Sequence, residues 1–167
     1  MRSAIMFAGV VSVLSACSFP HPTPLVEPER FVVTAPMDSV FRASVGALVK
    51  WNFVIAFADK SSGVISTAER RVSGPDTLSA VLYPATNCQR GPIGPFGGIS
   101  DYRVRVSIAL EDLGDSTAFR ISTGIVASWV DYLDNDDDDH PPVTTCSSAG
   151  PFERSLAQEI ARGLGRS

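Results

Sequence analysis

YRVRVSIALEDL, residues 102–113, is the stretch that decides the fold. Tyr102, Val104, Val106, Ile108 and Leu110 alternate with Arg103, Arg105, Ser107, Ala109 and Glu111. A strict period of two is the signature of a strand with one face buried and one wet. Gly114-Asp115 follows as a turn, and Thr117 to Trp129 reads as the returning strand, burying Phe119, Ile121, Thr123 and Ile125. A long antiparallel hairpin with one apolar face needs something to cover that face.

The segments on either side supply the cover. Met37, Phe41, Val45, Leu48 and Val49 recur at helical spacing, which predicts a helix over 38–51 capped by Asp38 or Ser39. At the far end Pro151 opens a second helix, with Glu153 in its first turn. Phe152, Leu156, Ile160 and Leu164 form its buried stripe. Further strands are predicted at 30–34, at 54–57 and 64–72 as a hairpin turning at Asp59 to Gly63, and at 77–83. The Gly- and Pro-dense RGPIGPFGGIS, residues 90–100, predicts a loop. Its Ile93, Phe96 and Ile99 can fold back on the sheet or serve as contact points, and folding back is preferred. The expected architecture is α+β: a mostly antiparallel sheet of about five to six strands with two helices on one face, in the order β-α-β-β-β-β-β-α.

The N-terminal region has a different character. Arg2 is followed by an apolar run from Ala4 to Val13, and then by Leu14-Ser15-Ala16-Cys17. The run is too short to span a bilayer, which takes about 20 residues. Its layout is that of a secretory signal over residues 1–16. The alternative is an ordinary signal peptide with a chance cysteine. Leu14-Ser15-Ala16-Cys17 resembles the lipobox of bacterial lipoproteins. That resemblance implies a diacylglycerol on the Cys17 thiol, cleavage before Cys17 and acylation of the new amino group. Two or more acyl chains hold a protein firmly on a membrane. Ser18, where that family's sorting pattern has Asp for inner-membrane retention, implies an outer-membrane address facing the periplasm. Residues 17–29 then form the lipidated Cys and a tether. Pro20, Pro22, Pro24 and Pro28 favour an extended polyproline II segment that reaches roughly 30 Å. Residues 30–167 form a single α+β domain.

Three cysteines are present. With Cys17 lipidated, Cys88 and Cys146 remain as an even pair in an oxidising compartment, and a disulfide is expected between them. It closes a loop of roughly 60 residues, on the order of 4 kcal/mol in the chain-entropy model. Two separate buried thiols are the alternative.

Without Arg2 the chain has 13 basic and 18 acidic residues, and six of the acids lie between Asp131 and Asp139. The remainder is close to neutral, with no basic field for nucleic acid. Asp134, Asp136 and Asp138 have the one-three-five spacing of a calcium loop. Asp139 stands where such a loop needs Gly, and Thr145 where it needs a bidentate Glu. The acidic loop 131–140 therefore reads as a solvated loop whose like charges repel, with divalent-cation binding as the alternative and no metal site assigned.

Catalytic signals are weak. The only histidines are His21, in the tether, and His140, at the end of the acidic run. No nucleophile elbow, phosphate loop or His-Glu-x-x-His motif occurs. The expectation is a non-catalytic protein without a cofactor. NFVIAFADKSSGVISTAE, residues 52–69, and CSSAGPFERSLAQEIARGL, residues 146–164, resemble segments of small α+β lipoproteins of Gram-negative bacteria. These are distantly similar to the helix-grip domains of the C lipoprotein of the β-barrel assembly machinery. The resemblance implies a fold and a place, not a reaction. The expected function is that of a non-catalytic, membrane-anchored protein acting through contacts with an envelope protein partner. A small-ligand or divalent-cation-binding lipoprotein is the alternative function.

Overall fold

The computed structural model describes residues 28–73, 78, 86–88, 97–131, 143–148 and 150–165. The alternating stretch lies within β6 (Gly97–Asp112), which turns through Gly114 into β7 (Thr117–Asp131). The turn is tied by a hydrogen bond from the Gly114 N–H to Asp112 Oδ1 at 2.9 Å. These two strands are the spine of one antiparallel sheet of eight strand segments. On the open side of β6 lie β3 (Val64–Thr67) and β4 (Arg70–Val72). On the open side of β7 lie β1 (Arg30–Val33) and β8 (Val143–Ser148). The edges are β2 (Ile55–Asp59) and β5 (Thr86–Cys88).

Alternation sorts the side chains as the sequence predicts. Tyr102, Val104, Val106, Ile108 and Leu110 are all buried, and so are Phe119, Ile121 and Ile125 across from them. Thr123 is half-buried. The two helices, α1 (Met37–Lys50) and α2 (Pro151–Leu164), cover this inner face and share one core with it. Phe152 is fully buried between Trp51, edge-on at 5.6 Å, and Phe53 at 6.2 Å. The helices also touch each other. A Cβ at Gly163 would lie 3.4 Å from the Ala43 Cβ, and Lys50 pairs with Glu159 at 2.6 Å.

The α+β class and the helix pair are as expected, and several details differ. The predicted 64–72 arm is two strands. The pairing partners on β6 slip by one residue between Ser66 and Arg70, and there the Val106 N–H donates to the Thr67 hydroxyl at 3.0 Å. This is the behaviour of a bulge, which leaves the ladder locally unpaired. Of the predicted strand at 77–83 only Leu78 is described, and its backbone is helical and its side chain buried. The predicted loop 90–100 gives up its last four residues to β6, which pairs Gly97 with Asp131. Strands β5 and β8 were not expected. Both are short, and β8 follows an acidic run that reads as loop.

Helix α1 is rotated from its predicted stripe. Its buried row is Val40, Ser44, Ala47 and Leu48, while Met37, Phe41 and Val45 flank the core and Val49 is exposed. Small residues sit where α2 comes closest, and a hydrophobic stripe does not detect them. The helix is entered from Pro36, with no side-chain cap. Asp38 instead pairs with Arg42 at 3.0 Å and with Lys60 in the β2–β3 turn. The Lys60 hydrogen bond holds its carboxyl below the usual 3.8. In the same turn Asp59 accepts from the Ser61 N–H at 2.9 Å and the Ser61 hydroxyl at 2.7 Å, which lowers its pKa in turn.

Candidate functional site

The inner face of the sheet is filled by helices, so of the two sheet faces the outer one is open to contact. Register places five arginines there. Arg103 and Arg105 come from β6, Arg120 from β7, Arg30 from β1 and Arg71 from β4. Arg30 is the Cα partner of Arg120, and Arg71 is the Cα partner of Arg103. Like charges directly opposite each other destabilise a sheet. Two such pairs share this one face.

Three of the arginines have acidic neighbours. Arg30 meets Glu111 at 3.0 Å. Arg71 meets the buried Asp101 at 2.6 and 3.1 Å, and Arg103 lies 4.0 Å from Glu69. Arg105 and Arg120 are exposed, and neither has an ion pair among the described residues. Gly124 is the partner of Arg105 and puts no side chain in front of it. Ser107 and Ser122, also partners, separate Arg105 from Arg120. Beside Arg30 and Arg120 lies a shallow hollow of about 200 Å³ floored by Ala109 and Ala118.

Guanidinium groups in an open polar field bind carboxylate or phosphate oxygens in a planar, two-point geometry. Among the described residues no nucleophile–base pair lies on this face. Among the described residues no three His, Cys, Asp or Glu side chains gather to hold a metal ion.

The residues singled out in the sequence fall elsewhere. Cys17, His21, Ile93, Phe96, Asp134, Asp136, Asp138 and His140 lie outside the described residues. Asp131, the first acid of the run, ends β7. Ile99 packs against the core. Cys146 is buried and disulfide-bonded, and the residue opposite it in the β5–β8 ladder is Cys88. Among the described residues no helix is long and apolar enough to cross a membrane.

Sequence reading missed the arginine face as a unit. Arg103 and Arg105 are visible as the wet side of an alternating strand. Their grouping with Arg30, Arg71 and Arg120 depends on pairings between residues far apart in the chain.

The fold and this face together describe an antiparallel sheet gripping two helices, with an arginine-bearing outer surface. No protein-family model matches the chain, and no curated protein matches it either.

Proposed function

We propose that this is a non-catalytic, lipid-anchored envelope protein that acts through protein contacts in the periplasm. The observation that carries the reading is Leu14-Ser15-Ala16-Cys17 at the end of a short apolar run, followed directly by a proline-rich segment. A signal of that form delivers a chain to an oxidising compartment. Lipid on Cys17 would hold it on the outer membrane, and residues 17–29 would set the domain off from the bilayer. The disulfide at Cys146 suits such a compartment. A filled core beneath the helices and an open, charged sheet face suit a protein that binds others better than one that encloses a substrate.

Two measurements test the reading. Cys17→Ala should release the protein into the soluble periplasmic fraction or leave an unprocessed precursor. A processed form of wild-type size that still sediments with membranes would remove Cys17 as the anchor. In-cell crosslinking of the wild-type protein should yield one discrete envelope adduct. Its absence at every surface tried would remove the contact function.

A further inference from the structure

We infer that the outer sheet face is a docking site for an extended acidic segment of a partner protein. The inference rests on the contact function proposed above and names the surface and the partner's chemistry. The first argument is the cost of the arrangement. Arg30–Arg120 and Arg71–Arg103 are both like-charge cross-strand pairs. Arg71 answers the buried Asp101, but no ion pair among the described residues and no buried group calls for Arg105 or Arg120. A local rule broken without a packing gain marks a functional surface.

The second argument is complementarity. The chain carries a net charge of −4, yet the sheet face has five arginines against Glu69, Asp101 and Glu111. The arginines form two groups. Arg105 faces Gly124, and Arg120 lies four residues before Gly124 on β7. At about 3.3 Å per residue the groups are roughly 13 Å apart along the strand. An extended peptide has the same rise, so carboxylates four residues apart on one of its faces meet both groups. Ser107 and Ser122 lie between; Ser107 donates to the Ser66 hydroxyl at 3.5 Å, and the exposed Ser122 is the one that would meet the peptide's backbone.

The third argument separates a peptide from a bilayer. The β6–β7 hairpin ends in Glu111, Asp112 and Asp115, beside Arg30 and Arg120. A flat anionic membrane would have to accept those acids together with the arginines. A narrow acidic strand lies between them.

The test uses residues 17–167 with Cys17→Ser, since every contact described lies within 28–165. The outcome is then independent of lipidation. The probe is a fluorescent peptide of about ten residues with alternating Glu and Ser, titrated by anisotropy at low salt. Wild type should bind saturably and release the peptide at about 0.5 M salt, where exposed charges are screened. Arg105→Gln with Arg120→Gln should weaken binding about tenfold. Arg42→Gln with Arg162→Gln, the same charge change on the helices, should leave it unaltered. Thermal melts of both variants should show intact folds. Three results would overturn the inference: no binding by wild type, equal loss in the helix variant, or tighter binding to phosphatidylglycerol vesicles than to the peptide. If the peptide fails while crosslinking still finds an envelope partner, this face is not the contact and the broader function stands. If the peptide binds while no partner is found, the face is confirmed as acid-binding and the contact function falls.

Discussion

The two faces of the β6–β7 hairpin are built from alternate residues of the same two strands and obey different rules. On the inner face, Val104, Val106, Ile108, Phe119, Ile121 and Ile125 are packed to near-zero exposure beneath two helices. There volume and shape decide, because interiors are close-packed and even one methylene is felt. On the outer face, Arg105 and Arg120 are exposed and have no ion pair among the described residues, so packing sets little constraint on them. The inner face explains why the protein folds. The outer face has no such explanation, which is why function is sought there.

The largest effect should come from the inner side. Phe152→Ala empties a fully buried site between Trp51 and Phe53, and should cost about 3–5 kcal/mol. Chemical denaturation of wild type and variant reads this directly. A loss under 1 kcal/mol would mean that α2 is not what closes the core.

Removing the covalent tie should rank next. Cys146→Ser should destabilise by about 2–5 kcal/mol under oxidising conditions. Adding reductant to wild type should abolish the difference. Non-reducing mass mapping should join Cys146 to Cys88, its ladder partner. Free thiols at both positions would contradict the bonded state.

Gly63→Ala tests how closely the β2–β3 turn sits on the inner layer. Gly63 has φ 68°, and a Cβ there would lie 2.6 Å from the Leu110 carbonyl oxygen and 2.7 Å from the Met37 methyl. The Leu110 N–H also donates to the Gly63 carbonyl at 2.8 Å, so the backbone cannot move away freely. The expected loss is about 1–3 kcal/mol in the same denaturation assay.

The outer face should give the smallest effect, and of opposite sign. Arg120→Thr removes the charge facing Arg30 and introduces a β-favouring residue. It should leave stability unchanged or raise it by about 0.5 kcal/mol, with the gain shrinking in high salt. A substantial loss would mean that Arg120 serves the fold, and would erase the contrast between the two faces.

These sites also differ in how far the sequence reveals them. The inner face of β6 and the α2 stripe of Phe152, Leu156 and Ile160 are legible because period and burial coincide within one segment. Helix α1 is only half legible. Its close approach to α2 is at Ala43, facing Gly163, and its buried row includes Ser44; such small residues give little hydrophobic signal. Strand β5 is only three residues long, and β8, VTTCSS, has no apolar alternation to read.

Local sequence determined the long hairpin, the turn at Gly114 and the terminal helix, because each follows from residues adjacent or periodic along the chain. Only the tertiary structure decided that Arg30 faces Arg120 and that Arg71 faces Arg103, and it set Cys146 opposite the Cys88 that the sequence already pairs with it. Each of those pairs is separated by at least 30 residues of chain. Strand register between distant segments is set by the collective burial of the apolar face, and a slip of one residue would turn every side chain of a strand over. No single segment contains that information, and the arginine face exists only once all of them have paired.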